Sequence, residues 1–106
     1  MMHAFTKALP RFREIVRQRG DQLRKLPFEE LAKLADEPIQ HVVVEKRQGT
    51  ISLIVQPLSS GALRIVVQGF LKARFVPVKD VAIDGFYKYR DGTVAPMPAE
   101  EFYKFD

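Results

Sequence analysis

The sequence contains no cysteine, no tryptophan and only two histidines, and these shortages exclude several kinds of chemistry. Without cysteine there are no disulfides, no thiolate nucleophiles and no cysteine-ligated metals. The histidines, His3 and His41, are far apart in the sequence and are a poor basis for a zinc site. A chain without disulfides is typical of a reducing compartment, so we expect a cytoplasmic protein.

Long apolar runs and glycine-rich segments are also missing. No stretch approaches the roughly 18 apolar residues that a membrane-spanning helix needs, so we expect no transmembrane segment. The six glycines are scattered singly, which excludes a glycine-rich phosphate-binding loop. We therefore expect a protein that has no metal or cofactor and is not an enzyme. A metal-free nuclease that uses arginine, lysine and tyrosine is the remaining enzymatic alternative.

The 106 residues suffice for a single domain with one hydrophobic core. We divide the chain into a helical part over 1–37, an antiparallel sheet over 38–95 and a C-terminal tail over 96–106. Helices followed by a run of strands predict an α+β fold. In this fold, two N-terminal helices pack on a curled antiparallel meander of about five strands, and a short helical turn follows.

Apolar residues at intervals of three or four predict the first helix. They are Phe5, Leu9, Phe12, Val16, Leu23 and Leu26. Thr6 is a suitable N-cap, and Gly20 is a position where the helix could break. Pro27 predicts the start of a second helix, which must end before Pro38.

From residue 39 the apolar pattern has period two, which predicts strands over 39–46, 51–56, 63–70 and 81–90. Residues 47–50 are predicted to form a turn, Gly69 a bulge or bend, and Asp91 and Gly92 a tight hairpin. Several strands are apolar on both faces, and the helices can cover only one face. The tail, a barrel-like closure or a second copy of the chain could cover the other, and we expect one of the last two.

Positive charge is concentrated in the first 26 residues. The net charge is +4, and this segment holds Lys7, Arg11, Arg13, Arg17, Arg19, Arg24 and Lys25 against Glu14 and Asp21. Glu14 with Arg17, and Asp21 with Lys25, have the spacing of intrahelical ion pairs. A solvated helix face explains most of this charge. The surplus makes nucleic-acid contact the alternative, through Arg11, Arg13, Arg17 and Arg24.

The stretch GFYKYRDG, residues 85–92, interleaves aromatic and basic residues, as RNA-binding sheets do. Strand alternation places Phe86, Lys88 and Arg90 on one face and the tyrosines on the other. Phe86 could therefore be an exposed stacking platform or the anchor of a protein interface. We favour a third arrangement, in which Phe86 packs under the tail.

A second basic and aromatic stretch is GFLKARFVPVK, residues 69–79. If it is exposed, Lys72, Arg74 and Lys79 offer positive charge beside Phe70 and Phe75. If it belongs to an edge strand, the lysines guard that edge against pairing with another chain. The second interpretation is simpler and is the one we prefer.

For function, the sequence favours a non-enzymatic module that acts through protein–protein contacts, including self-association into a homodimer through the second sheet face. The alternative is a nucleic-acid-binding module that uses the basic helix, helped by Phe86, Lys88 and Arg90.

Overall fold

The computed structural model describes residues 7–35 and 37–106. Helices α1 (Ala8–Arg24) and α2 (Phe28–Ala32) precede the sheet. Its strands are β1 (Gln40–Val44), β2 (Arg47–Pro57), β3 (Leu63–Lys72), β4 (Lys79–Lys88) and β5 (Val94–Pro96), followed by a 3-10 helix (Ala99–Phe105). All neighbours pair antiparallel in the order β1-β2-β3-β4-β5. The α+β class is confirmed, although the second helix is only five residues long.

Helix α1 continues through Gly20, so the break that the sequence allows there does not occur. Glycine inside a helix usually costs about 1 kcal/mol relative to alanine. Here a Cβ atom would overlap the carboxylate of Asp84 on β4, so the close approach of helix and sheet requires glycine. The predicted N-cap, Thr6, lies outside the described residues.

The main core lies between α1 and one face of the sheet, here called the helix face. Phe12, Val16 and Leu23 of α1 are almost fully buried against it. Gly69 keeps the register of β3 with both of its neighbours, so the predicted bulge is wrong. A Cβ atom at Gly69 would lie 2.7 Å from Cζ of Phe12, so glycine makes room for that ring.

The turn between β1 and β2 consists of Glu45 and Lys46, whose φ angles are 49° and 67°. A two-residue hairpin turn with both φ angles positive matches the twist of the strands that it joins. The predicted turn over 47–50 is therefore wrong, because these residues begin β2. Gly49 is buried beside the ring of Phe12 rather than exposed in a turn.

The C-terminal tail covers the centre of the other sheet face, here called the tail face. The hairpin at Asp91 and Gly92 is confirmed and leads into β5 and the 3-10 helix. Met97 and Phe105 then pack on Val66. The sheet is open, with β1 and β5 at its ends, so the expected barrel-like closure is wrong. Along residues 7–35 and 37–106, no helix is long and apolar enough to cross a bilayer.

Candidate functional site

Acidic neighbours neutralise much of the basic face of α1. Arg17 contacts Glu14 at 2.6 Å and Asp21 at 3.6 Å. Arg11 lies 3.8 Å from Glu45 in the β1–β2 turn. The predicted pairing of Glu14 with Arg17 is thus confirmed, and the hydrogen bond between them lowers the pKa of Glu14. All three pairs are exposed, so their contribution to stability is small.

Arg24 is the most fully neutralised of the candidate arginines. Its Nη1 and Nη2 atoms donate to the two carboxylate oxygens of Asp84 at 2.6 and 2.9 Å. Asp21 contacts Arg24 at 3.5 Å, instead of the expected Lys25. Among the residues that the structure describes, Arg13 is the one helix candidate without an ion pair. The helix therefore presents little uncommitted charge to a ligand.

Phe86 lies in the main core, with 1% of its surface exposed, so the stacking platform, the interface anchor and the packing under the tail are all wrong. The guanidinium carbon of Arg24 lies 4.8 Å from the centre of its ring. Lys88 is 5% exposed and donates a hydrogen bond of 3.1 Å to the carbonyl oxygen of Arg24. Arg90 is exposed but lies over the ring of Phe28. These three residues do not come together as a site.

The β3–β4 loop, residues 73–78, is the most exposed apolar segment of the described chain. Phe75 is 85% exposed, and Val76 and Val78 are 55% and 58% exposed. The loop is bracketed by Lys72 and Lys79, which are paired directly across β3 and β4. Lys72 lies on the central strand, so the edge-guard interpretation does not explain it.

A cleft of about 190 Å³ lies on the tail face beside this loop, where the tail does not reach; we call it the strand cleft. Phe70 provides an aromatic wall, and Nζ of Lys79 lies 5.7 Å from the centre of its ring. The cleft is lined by His41, Gln48, Gly49, Thr50, Phe70, Lys72 and Lys79. It therefore combines two ammonium groups, an aromatic ring and hydrogen-bonding side chains.

A neighbouring cleft of about 320 Å³ lies at the loop itself; we call it the tip cleft. Phe75 provides its aromatic ring, with the guanidinium carbon of Arg74 4.9 Å from the ring centre. The lining consists of Lys46, Arg47, Gln48, Lys72, Ala73, Arg74 and Phe75. Lys72 and Gln48 belong to both clefts, so the two form one continuous surface.

The positive charge of this surface is not balanced in the described structure. Arg47 pairs with Asp80 at 2.7 Å. The other four cations, Lys46, Lys72, Arg74 and Lys79, make no ion pair with any carboxylate that the structure describes. Like charges directly opposite each other on a sheet are destabilising, and Lys72 and Lys79 are such a pair. A polyanion bound between them would remove this repulsion.

Sequence patterns singled out the stretch 69–79, and the preferred edge-guard interpretation fits Lys79 on the open part of β4 but not Lys72 on the central strand. The patterns do not show how the strands are aligned. The register of the sheet sets Lys72 opposite Lys79 and brings Gln48 and Thr50 of β2 beside Phe70. His41 was assigned no chemistry and proves to line the strand cleft. Over residues 7–35 and 37–106, no three histidine, aspartate or glutamate side chains are placed to hold a metal ion.

Comparison with known proteins does not identify a relative. No family model matches the chain, and neither the curated proteins nor the solved structures contain a match. The chemistry of the two clefts is therefore the basis on which a function is proposed.

Proposed function

We propose that this protein is a non-enzymatic module that binds single-stranded nucleic acid through the strand cleft and the tip cleft. The observation that carries the proposal is that each cleft places an aromatic ring beside unbalanced cations, and that the two share Lys72. A cytoplasmic location, which the lack of cysteine favours, would bring it into contact with RNA.

The aromatic rings and the cations would have separate tasks. Phe70 and Phe75 offer rings on which bases can stack, and such stacking contributes about 1–3 kcal/mol per base. Lys72, Lys79 and Arg74 would contact the phosphates that connect those bases. Because the clefts adjoin, neighbouring nucleotides of one strand could occupy them together.

Single strands fit this surface better than duplexes. In a duplex the bases are stacked on each other, so their faces are not available to Phe70 or Phe75. Duplex binding would use the cations alone and would leave the apolar loop residues without a partner. We therefore expect a clear preference for unpaired nucleic acid of either sugar type.

The direct test is fluorescence anisotropy with a labelled single-stranded RNA, the DNA of the same sequence and the matching duplex. The double variant Lys72→Gln/Lys79→Gln removes two phosphate contacts, and we expect it to weaken binding about tenfold at physiological salt. The control is Lys25→Gln/Lys33→Gln. It makes the same change in net charge at two exposed lysines outside both clefts.

Three results would contradict the proposal. Equal losses in the test and control variants would mean that binding depends on net charge and not on the clefts. Binding to anionic lipid vesicles but not to RNA would make the exposed loop with Phe75, Val76 and Val78 a membrane-docking element. RNA that is cut during incubation with a chelator would favour the metal-free nuclease.

A further inference from the structure

Among residues 7–35 and 37–106, nothing pairs with the outer edge of β1, and β2 is its one neighbour in the sheet. Natural edge strands usually carry lysine, other charges or proline, which discourage pairing with another chain. Residues Gln40–Val44 hold no aspartate, glutamate, lysine, arginine or proline. Val43 is 71% exposed and Ile39, just before the strand, is 57% exposed.

The opposite edge of the sheet is formed by β5 and by the first part of β4, and both are protected against pairing. β5 has three residues and ends in Pro96. It pairs with β4 only over residues 86–88, so the first part of β4 has no neighbour there in the described structure. That open part carries Lys79, Asp80 and Asp84, and such charges oppose strand pairing. β1 is thus the edge suited to association.

We propose that two copies of the chain pair β1 against β1 in antiparallel fashion, which joins their clefts into one binding strip. This inference rests on the proposed function for the role of the strip. Self-association would then use the strand edge and not the sheet face expected from the sequence. The centre of that face is already occupied by Met97 and Phe105.

The symmetry of such a pair determines where the clefts lie. Antiparallel neighbours in a sheet are related by a two-fold axis perpendicular to it, so the tail faces of both copies point the same way. When this axis passes midway between the two copies of Val42, His41 of each copy lies opposite Val43 of the other. Because His41 lines the strand cleft, the two strand clefts meet at nearly the same level beside the junction.

A second copy fits this edge because the uncharged segment Gln40–Val44 is compatible with itself, and no like charges meet when it pairs antiparallel. In this register Val42 lies opposite its own copy and Val43 lies opposite His41, and Gln40–Val44 contains no aspartate, glutamate, lysine or arginine. Lys72 lies on β3, so five strand spacings of about 4.8 Å would separate it from its copy, or about 24 Å. That distance exceeds the screening length of about 8 Å at physiological salt, so the two basic surfaces would not repel each other strongly.

The mass of the protein in solution tests the pairing. We expect a dimer at high micromolar concentration, and its mass should persist in high salt because strand pairing and apolar contacts are not screened. Val43→Lys should produce a monomer. Val94→Lys, the same change at an exposed valine of β5, should leave the dimer intact. A monomeric unmodified protein, or a Val43→Lys variant that remains dimeric, would overturn the inference.

The dependence of binding affinity on RNA length tests whether the clefts of the two copies act as one strip. An oligonucleotide of about 20 nucleotides could engage both copies and, after division by its number of four-nucleotide registers, should bind the dimer at least tenfold more tightly than one of about 4 nucleotides. Val43→Lys should abolish this advantage while it retains binding of the short RNA. The added lysine can only strengthen binding electrostatically, so the loss would reflect the broken dimer.

The two proposals can fail separately. A dimer that binds neither RNA would overturn the proposed function and the strip, and would leave the strand pairing in place. A monomer that binds the short RNA would overturn the pairing and leave the proposed function in place. A dimer that binds both RNAs equally would show that the clefts act independently and would overturn the strip.

Discussion

Arg24 on α1 and Asp84 on β4 fasten the helix to the sheet through two parallel hydrogen bonds of 2.6 and 2.9 Å. The hydrogen bonds that Arg24 donates to the Asp84 carboxylate raise the pKa of Arg24. The same guanidinium lies 4.8 Å from the ring of Phe86, and the backbone carbonyl of Arg24 accepts a hydrogen bond from Lys88. An arginine that looks available for ligands in the sequence is therefore part of the fold.

Removal of the Arg24–Asp84 pair should destabilise the fold more than removal of an exposed pair. Asp84→Ala leaves the guanidinium, 29% exposed, without its carboxylate, and we expect a loss of about 1–3 kcal/mol in the free energy of unfolding. Glu14→Ala breaks the exposed contact with Arg17, which solvent screens, and should cost much less. Urea denaturation measures both, and equal losses would contradict the structural role of Arg24.

The effect of Gly20→Ala on the free energy of unfolding should depend on the residue at position 84. In a helix this substitution normally adds about 1 kcal/mol of stability. With Asp84 present, the new methyl group displaces the carboxylate, and we expect a net loss. In the Asp84→Ala background the carboxylate is gone, and Arg24, whose Nη1 atom lies 2.9 Å from the added Cβ position, is no longer held by Asp84 and can move aside, so the substitution should be stabilising. A double-mutant cycle from urea denaturation gives the coupling, and stabilisation in both backgrounds would show that the close contact is unimportant.

Gly69→Ala should overpack the main core. The added methyl group would lie 2.7 Å from Cζ of Phe12 and 2.9 Å from Cγ2 of Val16. Overpacking of this kind costs about 1–3 kcal/mol. Phe12→Leu is expected to relieve part of that cost, because it shortens the side chain that meets the methyl group. Thermal denaturation of both variants and the double variant checks this, and additive losses would contradict it.

The predicted elements that the structure confirms are those set by local patterns. The apolar spacing of Phe12, Val16 and Leu23 predicts the buried side of α1, and Asp91 with Gly92 predicts the last hairpin. Such features depend on neighbours in the sequence, so one stretch contains the necessary information.

The errors come from contacts between distant segments. Gly20 and Gly49 look like a helix break and a turn, and only the neighbouring Asp84 carboxylate and Phe12 ring show why glycine is required. Phe86 looks exposed because Asp84 and Lys88 share its face. Arg24, some 60 residues away, satisfies both of these polar groups. The candidate site needed the same kind of information, since its clefts join β2, β3 and the β3–β4 loop.

Docking of the tail should depend on pH through Glu101. Its carboxylate accepts hydrogen bonds from Tyr87 and Arg64, and these lower its pKa below the ordinary value of 4.5. The stability that these hydrogen bonds give to the packed tail is fully present above pH 4.5. It is lost as the pH falls through the lowered pKa of Glu101. Hydrogen exchange across the 3-10 helix should therefore accelerate at low pH.

Glu101→Gln should reduce this pH dependence, because the amide cannot be protonated in that range. Glu100→Gln changes the exposed neighbouring carboxylate and should leave the dependence as it is. If both variants and the unmodified protein follow the same pH profile, Glu101 does not hold the tail.

The central claim is that Lys72 and Lys79 contact nucleic-acid phosphates, and the salt dependence of RNA binding tests it most directly. If the four unbalanced cations contact phosphates, log K should fall with log salt with a slope of about −2.8. Lys72→Gln/Lys79→Gln should reduce that slope to about −1.4, whereas Lys25→Gln/Lys33→Gln should not change it. An unchanged slope in the first variant would contradict the account.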